Sequence, residues 1–296
     1  MIQDGHTDCL VRATLHGQFS QAIAIRKTGQ ETQTRLGSIR NAPLGELARQ
    51  CPTLVIEPGQ HRLLEDGPRL RRRYLDWTVF HVEPRYQSHW IRYQKALRQR
   101  NFLLRHPGRA DLSAWDREYA NSAESVDAHR RRVFAALQPH IETQLQKLFN
   151  EAPGVALSYQ RGWPEDRPLI ELLAANRPLD QSRGFTQYGP HRAEIRVNRY
   201  RQAARHRLSR GQQKLLVAAM VLAQSAHLVS ARQMTPILLV DDYGAELGGN
   251  SRQSLLDLLL AYQGQVFVTS LDAPGLVVGD DLKMFHVKHG VVSPVL

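Results

Sequence analysis

The sequence predicts an α/β protein with an antiparallel meander and a helical arm, and three stretches of the chain lead to this prediction. Four branched aliphatic residues in a row, Ile237–Val240, follow a proline and are typical of a parallel strand that is buried on both faces. Residues 9–26 alternate between apolar and polar and predict two short antiparallel strands with a turn at Gly17. Residues 83–150 carry two long amphipathic patterns, which predict a pair of helices.

Length and composition are those of a soluble globular protein. The chain has 296 residues, of which 42% are hydrophobic and 23% charged, enough for one large or two medium domains. The sequence has no apolar stretch of membrane-spanning length and no signal-peptide core, so no membrane partner is expected. Its two cysteines, Cys9 and Cys51, have no metal or redox spacing, so a reducing, cytoplasmic compartment is the simplest expectation.

The net charge of +11 is concentrated in two basic blocks. Residues 61–132 contain 16 Lys or Arg against 9 Asp or Glu, and residues 192–214 contain 8 against 1. Of the 39 basic residues 33 are Arg, whose guanidinium group binds phosphate through two hydrogen bonds. The pattern indicates a polyanionic partner, with nucleic acid as the leading candidate, although an arginine-rich codon bias would explain part of it.

After the meander, a short helix is predicted over residues 43–50 and a strand at Thr53–Ile56. Residues 58–77 then turn at a Gly-Pro pair and continue as a helix with four arginines in five positions. Its predicted apolar face leaves several of these arginines pointing elsewhere, either into solvent or toward a partner. That face consists of Leu70, Tyr74 and Trp77.

The arm is predicted as two helices, residues 83–105 and 122–150, joined by a polar loop at 107–116. The aromatic residues in these helices are interpreted as core residues rather than as base-stacking platforms. Beyond the arm, strands are predicted at Val155–Gln160 and 192–199, on either side of a helix near 169–176.

A capped helix is predicted to begin at Ser209 and to continue to about residue 231. Gly211 lets the backbone approach a ligand closely, and Arg210 and Lys214 lie beside this helix start, so it is a candidate anion site. A plain capped helix is the alternative. The chain ends with a helix over residues 251–262, a strand over 265–269 and a hairpin over 284–293.

Two acidic residues, Asp241 and Asp242, follow the apolar strand directly. Ligands of open α/β sheets bind beyond the carboxyl ends of the strands. Two adjacent like charges at such a point are costly, and a metal ion would offset the repulsion. The pattern is typical of a nucleotidase strand whose first acid holds Mg²⁺ and whose second orients a water molecule. A solvated strand end with two surface acids is the alternative.

The order of these features resembles the C-terminal half of an ABC-type ATPase head. The features are a Ser-x-Gly-Gln helix start, an acid-ending strand, an Ala-Glu-Leu turn and a last strand that ends in Thr-Ser. Further motifs resemble the bacterial recombination-repair RecF family, and the resemblance covers nearly the whole chain. These motifs are Gly67-Pro68, Arg71-Arg72, Tyr74-Leu75-Asp76, Gln99-Arg100-Asn101 and Tyr188-Gly189-Pro190-His191-Arg192.

The resemblance implies an ABC/SMC-like ATPase head with an antiparallel meander and an inserted helical arm. Residues 1–80 would be the N-terminal part of the ATPase lobe, 81–152 the arm and 153–296 the C-terminal part of the lobe. In such heads Asp241 would organise Mg²⁺ and Asp242 would be the catalytic acid.

Three further elements of the site are implied by the same resemblance. The signature loop, which in ABC heads caps the γ-phosphate bound by the opposite subunit, would consist of Ser209, Gly211 and Gln212. Ala245-Glu246-Leu247 would be the loop that contacts the second subunit. Thr269 or Ser270 would stand at the switch position.

The function implied is that of a DNA-binding ATPase of recombinational repair, replication-fork maintenance and the SOS response. Its cofactors would be ATP and Mg²⁺. Its partners would be single-stranded or gapped duplex DNA, recombination mediator proteins and, in the presence of ATP, a second copy of itself, and together they would load recombinase at gaps. The candidate DNA contacts are Arg71, Arg72, Arg73, Arg199 and Arg201.

The sequence departs from the family pattern in three places. Gly59 and Gly248 stand where the family usually has acids, and the phosphate-binding pattern Gly-x-x-x-x-Gly-Lys-Ser/Thr is absent. In the family that loop precedes the meander, so the hypothesis is that Met1 begins after it and that ATP binding is impaired. A genuine short paralogue, which acts as a non-catalytic DNA-binding or partner-docking module, is the alternative. The ATPase subunit of a membrane transporter is disfavoured by the arm, the basic blocks and the Asp-Asp pair.

Overall fold

The computed structural model describes residues 2, 4–16, 20–108, 111–148, 154–245, 247–271 and 282–295. Within these ranges the chain forms four separate β-sheets and nine α-helices. The helices are α1 (Leu44–Gln50), α2 (Arg62–Glu65), α3 (Pro68–Val82), α4 (Tyr86–Arg105), α5 (Leu112–Leu148), α6 (Leu169–Ala175), α7 (Arg177–Arg183), α8 (Arg210–Arg232) and α9 (Gly249–Leu260).

The predicted meander is confirmed and is longer than expected. It consists of β1 (Asp8–Leu15), β2 (Gln21–Thr28), β3 (Thr32–Leu36) and β4 (Ile39–Arg40), each antiparallel to the next. The turn predicted at Gly17 lies outside the described residues. A small apolar cluster of Leu36, Ala42 and Leu47 packs α1 beside the meander and is separate from the main core.

The second sheet is parallel and has the order β10-β9-β5, where β5 is Thr53–Ile56, β9 is Ile237–Val240 and β10 is Val266–Val268. The central parallel position predicted for β9 is therefore confirmed. The prediction that β9 is buried on both faces is wrong for the described residues. Leu238 and Val240 are buried, but Leu239 is only half-buried, and its neighbours in register, Val55 and Phe267, are exposed. The difference arises because helices α8 and α9 supply apolar side chains to only one face of the sheet.

The third sheet is antiparallel and comprises β6 (Val155–Gln160), β7 (Glu194–Arg199) and β8 (Gln202–Ala203). The last is the predicted C-terminal hairpin, β11 (Phe285–Lys288) and β12 (Val291–Pro294). It turns at His289 and Gly290, whose φ angles of 50° and 78° are those of a left-handed two-residue turn.

The arm helices are present, but α5 begins at Leu112 instead of near residue 122. Trp115, in the segment predicted as loop, and Tyr119, just after it, extend the apolar pattern of the helix. The Asp111 carboxylate accepts a 2.8 Å hydrogen bond from the Ser113 amide at the helix start. The predicted end at Asn150 lies outside the described residues. Because the second half of α5 packs against α8, where the His140 and His227 rings lie 5.4 Å apart, the arm continues into the main core.

Helix α8 lies at the centre of that core. It is the one helix in the described part of the chain that is long and apolar enough to cross a membrane. Its most apolar 18-residue stretch has a mean hydropathy of 1.5, and 72% of that stretch is buried inside the protein. Residues from all three predicted segments, including Leu75, Leu137 and Leu216, belong to one buried cluster. Packing in this core thus accounts for the apolar character of α8. The predicted division of the chain into residues 1–80, 81–152 and 153–296 stays a prediction.

Candidate functional site

Three of the predicted site residues meet at the carboxyl edge of the parallel sheet. Asp241 leaves β9, and its amide donates a 2.8 Å hydrogen bond to the Ile56 carbonyl at the end of β5. The Thr269 hydroxyl, just beyond β10, donates to Asp241 Oδ1 over 2.6 Å and accepts from the Asp242 amide over 2.9 Å. The order of the strands therefore brings together residues that are 28 positions apart in sequence.

The backbone at Asp242 has a left-handed conformation, with φ of 51°. Among residues with a side chain, Asp and Asn adopt this region most readily. The turn continues as the Tyr243 amide donates to the Thr269 carbonyl over 2.8 Å. It leaves Asp241 exposed and Asp242 half-buried at the same edge.

The chemistry of this edge fits Mg²⁺. Carboxylate oxygens are preferred Mg²⁺ ligands, and Mg²⁺ usually binds one or two protein carboxylates together with substrate phosphates. No cluster of three or more His, Cys, Asp or Glu suited to a metal occurs among the residues whose structure is described. As a single carboxylate, Asp241 would supply one ligand of such a phosphate-bound Mg²⁺ site.

A small cavity lies at the same edge. The cavity beside Asp241 and Asp242 has a volume of about 30 Å³, room for a water molecule or an ion. Lys214 also lines it, and its Nζ donates to the Ala245 carbonyl over 3.1 Å. The glycine-rich loop that cradles phosphates is absent from the 296 residues, so no hydrolytic step is derived for them.

The three residues of the predicted signature loop lie elsewhere. Ser209 caps α8 in a capping box: its Oγ accepts from the Gln212 amide over 3.3 Å, and its own amide donates to Gln212 Oε1 over 3.1 Å. Ser209, Gly211 and Gln212 do not line the cavity at Asp241. Their predicted action on a nucleotide held by a second subunit stays a prediction.

The predicted subunit-contact loop is described only in part. Ala245 and Leu247 are described, and the Leu247 amide donates to the Gly244 carbonyl over 3.1 Å. Glu246 lies outside the described residues.

Of the predicted DNA contacts, Arg71 is buried in the fold. Its side chain is buried, and Nε and Nη2 donate to the Glu194 carboxylate over 2.8 and 2.9 Å. Its Nη1 donates to the carbonyls of Leu63 and Asp66, both over 2.8 Å. Helix α3 turns this side chain toward β7 and not outward, so the expectation of a DNA contact at Arg71 has no structural support.

The buried face of α3 also differs from the predicted one. Tyr74 is buried as expected, but Leu70 and Trp77 are only half-buried, and Leu75 and Thr78 are buried in their place. The ion pair of Arg71 with Glu194 holds a charged position of α3 in the interior.

The other four candidates differ in exposure. Arg72 is half-buried and donates to the Ala193 carbonyl over 2.8 Å, and burial lowers the pKa of its guanidinium group. Arg73 and Arg201 are exposed. Arg199 is half-buried, donates to the Arg207 carbonyl over 3.1 Å, and places its guanidinium carbon 5.5 Å from the centre of the Tyr200 ring.

The second basic block forms an exposed surface, here called the basic face. It consists of Arg196, Arg201, Arg205 and Arg207, all exposed. Two of them, Arg196 and Arg205, line a cleft of about 420 Å³ between β7 and the turn that precedes α3. The two acids that line this cleft, Asp66 and Glu194, are paired with Arg62 and Arg71. Since Glu194 is the single acid of residues 192–214, the positive charge of the face is largely uncompensated.

Sequence reasoning missed the buried ionic core of the arm. Arg100, placed among the polar positions of its helix, is fully buried, and its Nε donates to Asp116 Oδ1 over 2.7 Å. Its Nη1 donates to Asp180 Oδ2 and to Thr186 Oγ1, each over 2.7 Å. The only sequence signal was the Gln-Arg-Asn motif itself, since its acidic partners are distant in sequence.

The Tyr188–Arg192 segment is held in a similar way. The Tyr119 hydroxyl donates to the Tyr188 carbonyl and Arg130 Nη1 to the Pro190 carbonyl, both over 2.7 Å. Arg130 also pairs with Asp76 over 2.7 Å. These family motifs therefore join the arm to the rest of the protein.

Comparison with known proteins agrees with this architecture. No family model matches the chain. It is 43% identical over 289 residues to the DNA replication and repair protein RecF of Stutzerimonas stutzeri strain A1501, covering 94% of this chain and 77% of that protein. It is 44% identical over 294 residues to RecF of Pseudomonas aeruginosa strain LESB58, covering 95% and 79%.

A solved structure of the recombination mediator protein RecF with ATP, from the RecFOR pathway, superimposes with a TM-score of 0.86 over 99% of this chain and 82% of that one. The sequences of the two are 21% identical, so this likeness bears on the fold. It confirms the predicted α/β fold with its meander and helical arm. The curated relatives show that the chain belongs to the RecF family.

Proposed function

We propose that this protein acts in DNA replication and recombinational repair by binding DNA through its basic face. The observation that supports this most directly is the largely uncompensated charge of that face, whose two cleft-lining acids, Asp66 and Glu194, are paired with Arg62 and Arg71. Arginine side chains presented in this way bind the DNA backbone and displace its counterions. The names of the curated RecF relatives agree with such a role.

The finer parts of the proposal follow the family. The DNA would be single-stranded or gapped duplex, the partners would be recombination mediator proteins and a second copy of the chain, and the outcome would be recombinase loading in the cytoplasm, within the SOS response. The similar solved structure is that of a RecF protein of the RecFOR pathway, which supports mediator partners.

Asp241 would hold Mg²⁺ at the strand edge, with Thr269 orienting its carboxylate and Asp242 beside it. When bound, Mg²⁺ would neutralise charge on phosphate oxygens. The RecF structures solved with ATP and with an ATP analogue support nucleotide binding as a property of the family.

The DNA-binding proposal is tested by salt-dependent anisotropy with a labelled gapped duplex. The test variant replaces Arg196, Arg205 and Arg207 with Ala. A matched control replaces Arg12, Arg35 and Arg40, exposed residues of the meander, and so removes the same charge from another surface.

We expect the parent's affinity to fall steeply between about 50 and 200 mM salt. In the basic-face variant, the slope of log affinity against log salt concentration should be smaller in magnitude by about two to three. The control should keep the parent's slope. Equal effects of the two variants would contradict the assignment to the basic face.

A second candidate function, a DNA-binding module without catalysis, is favoured by the small cavity at Asp241. It predicts DNA binding without Mg²⁺-dependent ATP hydrolysis. Hydrolysis by the parent that disappears in Asp242→Asn would instead support a catalytic protein. Asn keeps the left-handed backbone accessible, so this substitution removes the charge alone.

A further inference from the structure

The turn between β7 and β8 has an unusual backbone for its sequence. Its two central residues, Tyr200 and Arg201, both have left-handed conformations, with φ angles of 48° and 67°. Two-residue hairpin turns of this type strongly favour Asn-Gly or Asp-Gly, because a bulky side chain is strained there. A tyrosine followed by an arginine is therefore a costly choice, and such strain accumulates where a side chain has a function.

The strained turn holds the Tyr200 ring in an exposed position. The side chain is 64% exposed, far more than a packing role requires. Its ring rests on Gly154, where an added Cβ would lie 2.4 Å from the ring, and the Tyr200 amide donates to the Gly154 carbonyl over 3.1 Å. The backbone of Gly154 thus supports one side of the ring while most of the ring stays accessible.

Arginines flank Tyr200 in the sequence. Arg201 is exposed, and the guanidinium carbon of Arg199 lies 5.5 Å from the ring centre. The hairpin continues into the basic face at Arg205 and Arg207. An aromatic ring between arginines is the arrangement that binds single-stranded nucleic acid, since the ring stacks on a base while the cations contact the adjoining phosphates.

We propose that the hairpin tip, residues 199–201, binds unpaired DNA bases, with Tyr200 stacking on one base and Arg199 and Arg201 contacting the flanking phosphates. This inference rests on the proposed DNA binding and adds to it a specific preference for unpaired nucleotides. A paired base in a duplex is already stacked on both sides, so the ring gains nothing there.

The test compares a gapped duplex that carries 2-aminopurine in its single-stranded gap with a blunt duplex of equal length. Three proteins are compared with the parent. Tyr200→Ala removes the ring, Tyr200→Phe keeps it, and Tyr200→Asn with Arg201→Lys replaces the ring by a residue that the turn prefers while keeping the charge. The third variant relaxes the turn, so a loss of binding in it does not come from misfolding.

We expect Tyr200→Ala and the double variant to bind the gapped DNA about tenfold more weakly than the parent, with duplex affinity unchanged. Tyr200→Phe should retain the parent's affinity and the quenching of 2-aminopurine. Equal losses on both DNAs, or no loss on either, would overturn this inference and leave the basic-face proposal standing. A parent protein that binds neither DNA would overturn the basic-face proposal itself.

Discussion

Arg71 of α3 and Glu194 of β7 form a two-bond ion pair, with Nε 2.8 Å from Oε1 and Nη2 2.9 Å from Oε2. The pair fastens the basic helix α3 to the strand that carries the second basic block. It also engages the single acid of that block in an internal contact. One interaction thus stabilises the fold and leaves the neighbouring arginines available to a polyanion.

Replacing Arg71 with Ala is expected to destabilise the protein by about 3 kcal/mol, because it leaves the Glu194 carboxylate without its cation and three backbone carbonyls without a donor. Urea unfolding measures the change. Arg73→Ala, two positions away on the exposed side of α3, is the control and should change the free energy of unfolding by less than about 0.5 kcal/mol. Similar losses in both variants would refute the structural role of Arg71.

Replacing Arg100 is expected to lower the free energy of unfolding at least as much as replacing Arg71. The removal of Arg100 leaves Asp116 and Asp180 charged and buried, so Arg100→Met is expected to cost about 3–5 kcal/mol in the free energy of unfolding. Arg98→Met, an exposed position on the same helix, is the matched control and should stay within about 0.5 kcal/mol of the parent. If the protein with Met at position 100 were as stable as the parent, the ionic core would be dispensable.

These two arginines show where sequence reasoning fails. Strands β5, β6 and β9 were predicted within one residue, because a short apolar run between turn signals is a local pattern. The burial of Arg71 and Arg100 depends on acids that are 123 and 80 residues away, so no local pattern reveals it. From sequence alone, both arginines are interpreted as surface charges. The predicted buried face of α3 therefore omitted Arg71, which the structure buries.

The candidate site was predictable to the extent that it is local. The Asp241-Asp242 pair was located from the strand that precedes it, and the position of Thr269 from the end of the next strand. Their hydrogen bonds follow from the parallel pairing of β9 with β10, which no sequence pattern predicted. The strained turn at Tyr200 was not foreseen, because its sequence lacks the Asn-Gly signal that marks such turns.

Gly189 is expected to tolerate no side chain. Its φ of 139° is rarely adopted by other residues, and a Cβ there would lie 1.8 Å from the Tyr119 hydroxyl oxygen. Gly189→Ala should therefore lower the stability by more than about 2 kcal/mol, as measured by thermal unfolding. Gly59→Ala is the control, since nothing lies within 4 Å of its added Cβ and its φ is not positive. If Gly189→Ala unfolded at the same temperature as the control, the Tyr188–Arg192 segment would be free to shift.

His191 predicts a loss of stability on acidification. Burial lowers its pKa from the usual value of 6.5 to about 4 in the folded protein. Below pH 6.5 the unfolded chain binds a proton that the folded protein does not, so stability should fall as the pH drops from about 6.5 to 4. His191→Gln should flatten part of this slope, while the exposed His206→Gln should not. The remaining slope is expected from His81, whose pKa burial also lowers to about 4, and from three other histidines whose pKa values burial lowers, His129, His140 and His227.

Thr269 connects the two acids through one hydroxyl group, which donates to Asp241 and accepts from the Asp242 amide. Thr269→Val keeps the shape of the side chain but removes both hydrogen bonds, and we expect it to cost about 1 kcal/mol at this exposed edge. Thr269→Ser keeps the hydroxyl group and should remain close to the parent. Without the hydrogen bond from Thr269, the Asp241 carboxylate can reorient. We therefore expect Mg²⁺ to raise the free energy of unfolding less in Thr269→Val than in Thr269→Ser. Urea unfolding with Mg²⁺ and with a chelator measures both effects. An identical Mg²⁺ response in the two variants would show that Thr269 does not orient the Asp241 carboxylate for the ion.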